Sequence, residues 1–267
     1  MIQPLAYIHP EAKIARNVVI EPFAMIHKDV EIGEGTWIAS HAVINEGARI
    51  GKNCRIYPGA VISSVPQDLK YNNEYTLTLI GDNTTIREYA TISRGTEQHW
   101  KTEIGSDCLI MAYAHIAHDC VLGNHCIIGN NVQMAGHVHV GDWAIVSAIS
   151  AVHQFVKIGS HSFISGGSLV RKDVPPFTKA AREPISYAGI NSVGLRRRGY
   201  SNQQISEIQN VYRYIYMKGL NNSEAMHLIE LELPPSDERD EIVNFVRNSE
   251  RGIMKSPLQF SESSESE

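Results

Sequence analysis

Aliphatic residues recur every sixth position from Ile8 to Val170 in one phase. Of the 28 positions reached by stepping six from Ile8, 25 are Ile, Leu, Val or Met, and the exceptions are Asp68, Glu74 and Gln98. The position four residues after each aliphatic is also restricted. It holds Ala12, Val18, Ala24, Val30 and Thr36 early in the chain, and Cys108, Ala114, Cys120 and Cys126 later. Gly, Asn and Asp fill many positions between. A six-residue unit is too short for a helix pair. It fits a short strand and a corner, with the aliphatic inward, the small residue at the bend, and Gly or Asn tolerating the turn. Three units make a triangular coil of about 18 residues, a parallel β-helix. Separate strands would alternate with period two and be joined by irregular loops, so they do not account for a single phase over this length.

The three exceptions mark two excursions, at 63–79 and 97–103. Insertions in a solenoid map to loops that commonly build its binding face, which makes Asp68 and Lys70 candidates for ligand contact; the alternative is a solvated charge pair. The coil is read as residues 1–187, since the hexad ends after "DVPPFT" (173–178). An α-helical domain is expected over 188–255. Its main helix begins at Ser201, with Gln204 three residues on in a capping-box pattern, and Gly219 suits its end. Further helices are expected near Ser223 and after "PPSDERD" (234–240). The acidic, Ser-rich tail at 256–267 is expected to be unstructured.

The chain is 43% hydrophobic with a formal net charge of −5, which argues against a general nucleic-acid surface. No apolar run has the length of a membrane span, and "MIQPLAYIHPEA" does not read as a secretory signal. A cytoplasmic location and free cysteines are therefore expected. Cys54, Cys108, Cys120 and Cys126 all occupy the small corner position, where a thiol packs as a small hydrophobe. Cys108 and Cys126 lie one coil apart, at a backbone spacing of ~4.8 Å, within reach of a bridge in an oxidising setting.

Against this frame the stretch "AHIAHDC" (114–120) becomes readable. Ile116 points inward, so His115 faces outward and His118 lies at the approach to a corner. The bend between them argues against one metal shared by His115 and His118. Residues 18 apart stack, which places Gly136 and then Gln154 beside His118, and His137 and then Phe155 beside Asp119. A neutral imidazole abstracts a proton near pH 7, and a carboxylate fixes its tautomer. An exposed N–H at Gly136, where backbone approaches closely, suits an oxyanion. With no Ser-His-Asp nucleophile set evident, the constellation favours direct attack by a substrate nucleophile. The alternative is surface histidines on a structural coil. In "NSVGLRRRGY" (191–200), Arg196, Arg197 and Arg198 form a local basic site, either a phosphate clamp or a solvated turn.

The hexad resembles that of the hexapeptide-repeat transferases, whose coil is left-handed, an exception to the usual crossover rule. "AHIAHDC", "AGHVHVGD" (135–142), "VHQFVKIGSH" (152–161), "PQDLKY" (66–71), "RGT" (94–96) and "GLRRRG" (194–199) together resemble the UDP-N-acetylglucosamine acyltransferases of lipid A biosynthesis. The resemblance spans nearly the whole chain. It implies a left-handed parallel β-helix with a C-terminal α-helical domain, assembled as a homotrimer. It implies transfer of a 3-hydroxyacyl group from acyl carrier protein to the sugar 3-position of a UDP-sugar, with no metal or organic cofactor. His118 would be the general base, Asp119 its orienting partner and Gly136 the oxyanion donor. His115, His137, His153, Gln154, Asp68 and Lys70 would line the sugar and thioester site. Asn191, Arg197 and Arg198 would serve the nucleotide and pantetheine ends. Gly166 would set acyl length, with Phe163 shortening the groove.

Two positions depart from the family pattern: Ser93 replaces a frequent histidine, and Val193 a frequent acidic residue. They bear on whether the acceptor is a 3-hydroxy or a 3-amino sugar. Other readings are the pathway's later N-acyltransferase, a catalytically silent scaffold, and a zinc-dependent β-helix carbonic anhydrase. The start of the hexad at Ile8 argues against the N-acyltransferase, which usually carries an extra N-terminal domain.

Overall fold

The computed structural model describes residues 4–256. The tail expected to be unstructured lies, from residue 257 onward, outside the described residues. Two-residue strands such as His115–Ile116, Val121–Leu122 and Ile127–Ile128 follow one another around three sides. They stack into parallel sheets of nine, eight and ten strands, the third closed by the antiparallel strand Ser186–Ile190. The corner from the first sheet to the second is called here the first corner, that from second to third the second, and that from third back to first the third.

Each hexad aliphatic enters the tube. Ile20, Ile38, Ile56, Ile86, Ile110 and Ile128 are fully buried along the third side. Burial of each stabilises the tube by roughly 1.5–3 kcal/mol. Just before the small corner residue the backbone turns left-handed. Asn and Asp hold many of these sites, including Asn17, Asn53, Asp107 and Asn131. They tolerate that region because their short polar side chains bond locally. Bulky residues hold others, and coil stacking offsets their strain: Tyr89 lies on Tyr113 at 5.2 Å, and His125 on Trp143 at 3.9 Å. All four cysteines are buried and unbridged. Cys108 and Cys126 each donate to a carbonyl of the next coil, at 3.2 and 3.3 Å, and burial pushes the Cys120 thiol up to about 12.

Regular coils pair residues 18 apart, as His115 with Gln133. Across the first excursion Ile62 pairs with Ile92, 30 residues on, and across the second Ile92 pairs with Ile116, 24 on. The excursions thus add 12 and six residues, both multiples of six, which is why the phase survives them. The first is shorter than the span expected from the hexad, and the second begins and ends three residues earlier than expected. The strands Val61–Ser64, Leu77–Ile80 and Lys101–Ile104 run into those spans, because Leu77–Ile80 and Lys101–Ile104 pair with each other over four residues. The loops proper are 65–76 and 94–100.

Beyond the coil come α1 (Ser192–Arg197), α2 (Asn202–Met217), α3 (Asn222–Glu232) and α4 (Asp237–Arg247). At α2 the Ser201 hydroxyl accepts from the Gln204 N–H while Gln204 accepts from the Ser201 N–H, and Gly219 follows its end at φ 69°. The basic stretch read as a turn or clamp holds the short helix α1, capped by Asn191. Strand Ser186–Ile190 carries the third sheet past the boundary expected after residue 187, and its Tyr187 stacks on Tyr216 of α2 at 4.4 Å. The Tyr212 hydroxyl donates to the Pro176 carbonyl at 2.5 Å, further tying α2 to the coil. Among the described residues no helix is long and apolar enough to cross a membrane.

Candidate active site

Both excursions leave the first sheet and return to the second. They therefore arch over the first corner, which carries His118 and Asp119 two coils beyond the first excursion and one beyond the second. Asp119 is wholly buried and turns at φ 59°. Its carboxylate accepts from His118 Nδ1–H at 2.8 Å, from the Thr96 N–H at 2.8 Å and from the Thr96 hydroxyl at 2.6 Å. Its own N–H donates to the Thr102 hydroxyl at 2.9 Å. Burial alone would raise the Asp119 pKa, but the bonds from His118 and Thr96 outweigh it and hold the carboxyl below the ordinary aspartate value. An ionised acceptor beside Nδ1 keeps the proton there and leaves the Nε2 lone pair of His118 free.

His118 Nε2 lies 3.9 Å from Asp68 Oδ2 of the first excursion. Under the ring lies Gly136. A Cβ there would sit 2.6 Å from His118 Cε1 and 2.8 Å from Nε2, so only glycine admits the imidazole. The Gly136 N–H donates to no backbone or side-chain acceptor among the described residues. Asp68, Lys70, His115, His118, Gly136 and Gln154 share one cavity of about 800 Å³. His115 bonds Thr91 through Nδ1 at 2.7 Å, and burial, then the neighbouring His118, lower its pKa. His137 is buried, which lowers its pKa as well. It stacks on Phe155 at 4.7 Å and borders a second cavity of about 250 Å³ with Asp68, Lys70, Thr96 and Gln154. His153 is exposed and donates through Nδ1 to the Gln154 carbonyl at 3.1 Å.

Known proteins share this chain's sequence and fold. Residues 173–254 match the family described as Udp N-acetylglucosamine O-acyltransferase, domain 2, and residues 29–64 and 101–136 match the bacterial transferase hexapeptide repeats. The acyl-(acyl-carrier-protein)–UDP-N-acetylglucosamine O-acyltransferase of Burkholderia mallei (strain SAVP1) is 47% identical over 201 residues, 73% of this chain and 77% of its own. The chain belongs to the UDP-N-acetylglucosamine O-acyltransferase family. A crystal structure of LpxA, a UDP-N-acetylglucosamine acyltransferase from Bacteroides fragilis 9343, superposes with a TM-score of 0.94 at 51% identity, covering 96% of this chain and all of that one. LpxA from Acinetobacter baumannii gives 0.93 at 44%, covering 95% and 99%. The fold class expected from the repeat and, for its hand, from the family resemblance, a left-handed parallel β-helix with a helical C-terminal domain, is the fold of this family member.

The remaining residues singled out in the sequence lie elsewhere on the chain. Arg198 belongs to the second corner, where it donates to His161 Nδ1 at 3.2 Å and covers the Trp143 ring at 5.1 Å. Asn191 donates to the His161 carbonyl, and Arg197 is exposed on α1. Gly166 is exposed at the third corner, and Phe163 lies on the third sheet between Ile145 and Lys179. None of these five lines the His118 cavity. Ser93 is buried beside the Ser64 hydroxyl at 3.3 Å, and Val193 is exposed.

Two residues of the site carry no signal in the hexad: Thr96 and Thr102. "RGT" stands out as a string, but only the folded second excursion brings its threonine to a carboxylate 23 residues away. One group of three metal-capable side chains occurs among the described residues, His118, Asp119 and His137, with donor atoms within 4.8 Å of one another. His118 Nδ1 and both Asp119 oxygens are already engaged in hydrogen bonds, while His137 Nε2 stands 3.7 Å from Asp119 Oδ2.

Proposed function

We propose that this chain transfers a 3-hydroxyacyl group from acyl carrier protein to the 3-hydroxyl of UDP-N-acetylglucosamine, the first step of lipid A biosynthesis, in the cytoplasm. The observation that carries the reading is the buried Asp119–His118 pair, whose free Nε2 faces a cavity floored by Gly136. His118 Nε2 takes the proton of the sugar 3-hydroxyl as that oxygen attacks the thioester carbon. The carbonyl oxygen becomes an oxyanion and accepts from the Gly136 N–H. Asp119 stabilises the imidazolium. When the C–S bond breaks, the imidazolium returns its proton to the departing sulfur, leaving an ester and the carrier-protein thiol. No cofactor enters these steps.

His115, His137, His153, Gln154, Asp68 and Lys70 orient the sugar and thioester, and Asn191, Arg197 and Arg198 take the nucleotide and pantetheine ends. Gly166 and Phe163 limit the acyl chain. We assign the working unit as a homotrimer with sites between adjacent coils. An exposed apolar edge supports this, with Phe23, Tyr89, Tyr113 and Ile149 all at the third corner. Ile149 is 71% exposed at φ 61°, a strained setting for a β-branched residue that burial against a second copy suits.

The test is an acyl-transfer assay over a panel of carrier-protein thioesters, with UDP-N-acetylglucosamine and its 3-amino analogue as acceptors. Transfer to a UDP-sugar is expected, and His118→Ala is expected to lower turnover by roughly 10²–10⁴-fold in a folded protein. Transfer to neither acceptor would favour a silent scaffold, and near-normal turnover of His118→Ala would remove the base assignment.

A further inference from the structure

Asp119 is held by the second excursion at both of that loop's ends. Thr96 at the entry gives the carboxylate two hydrogen bonds, one to each oxygen, and Thr102 at the exit accepts from the Asp119 N–H. Thr96 is itself 6% exposed, and its carbonyl accepts from the Trp100 N–H at 2.7 Å, which closes the loop tightly on this corner. Thr96 lies in the loop, and Thr102 in the coil strand Lys101–Ile104 that the loop runs into. Without the excursion, a wholly buried carboxylate would keep His118 as its one close hydrogen-bond partner, and an under-satisfied buried charge is costly.

We infer that Thr96 is a positioning residue that acts through Asp119, setting the orientation and charge distribution on which the His118 base depends. The inference rests on the acyl-transfer reading above. Its physical content is a division of labour between the two carboxylate oxygens. The Thr96 N–H takes Oδ1, while its hydroxyl shares Oδ2 with His118. The shared donor draws negative charge away from the imidazole side and fixes the carboxylate plane. Removing the hydroxyl leaves Oδ2 with His118 alone. Charge on that side then stabilises the imidazolium that forms when the base takes a proton. The freed carboxylate also loses its fixed plane, and the proton transfer loses alignment. Neither Thr96 nor Asp119 lines the His118 cavity, and Thr96 borders only the smaller cavity beside His137.

The experiment uses the full-length protein and compares Thr96→Val with Thr96→Ser. Thr96→Val is expected to lower kcat by roughly 10- to 100-fold with KM within about twofold. The acid limb of its kcat profile is expected to move to higher pH, with Thr96→Ser restoring both. Thr96→Val is then combined with Asp119→Asn. If Thr96 works through Asp119, adding Thr96→Val to that variant costs little further activity. Independent, multiplicative losses would overturn the inference, as would an unmoved acid limb or a rise in KM alone. Should Thr96→Val fold poorly by circular dichroism, Thr96→Ser against Thr96→Cys asks the same question of the hydroxyl. If wild-type protein is inactive toward every acceptor the acyl-transfer reading fails, whereas active wild type with an indifferent Thr96→Val overturns only this inference.

Discussion

At Gly136 a single missing methyl sets the geometry of the site. The His118 ring occupies the space that a Cβ would need, at 2.6 Å from Cε1, far inside a van der Waals contact. The φ of Gly136 lies outside the left-handed region, so alanine meets no backbone strain there. Gly136→Ala therefore isolates crowding of the base. It is expected to cut kcat by roughly 10²–10³-fold, through a displaced imidazole and a disturbed oxyanion donor, while the melting temperature stays within a few degrees. A variant with near-normal kcat would show that His118 works from another rotamer. The pairing of His118 with Gly136 is legible in the sequence, because 18-residue stacking follows directly from the hexad. The Thr96 contact is not, because a loop inserted between two strands has no phase. Its path depends on packing that no periodicity records.

Among the elements, the ladder at the second corner has the clearest response to conditions. His125, Trp143, His161 and Phe177 stack in order along it, and Arg198 at the end of α1 bonds His161. This ladder helps seam the coil to the helical domain. Burial, with the Arg198 charge second, lowers the His161 pKa to about 4. The folded chain thus refuses a proton that the unfolded chain accepts below the ordinary value of about 6.5. Stability is full above that value and declines as pH falls from about 6.5 to about 4. Chemical denaturation across this window is expected to show the decline, flattened in His161→Gln; equal slopes in both proteins would place the acid sensitivity elsewhere. Helices α2 to α4 are legible from polar caps and apolar spacing, as with Ser201 and Gln204. Helix α1 is not. Its six residues are too few to show a period, and three consecutive arginines read as a turn until Asn191 is seen to cap them.

For the whole molecule, the separation of two clusters within one chain is the decisive fact. His118 and Gly136 lie on the first corner, whereas Arg198 and Asn191 are tied to His161 on the second. The second sheet lies between these two corners. A neighbouring copy can present its second corner to the first corner of this one. A ring of three copies then contains three such sites, each with its base from one chain and its arginine from the next. This arrangement makes a prediction that a site within one chain does not. His118→Ala and Arg198→Ala chains, each weakly active alone, are mixed in equal amounts after dissociation and reassembled. Random assembly pairs an intact base with an intact arginine at about a quarter of the interfaces, so activity should return to about a quarter of wild type. Equal activity before and after mixing would place base and arginine in one chain's site and remove the shared interface. Charge at the apolar edge gives the independent check. Ile149→Glu should shift the mass measured by light scattering from three chains to one and lower turnover, because a lone chain presents half of each site.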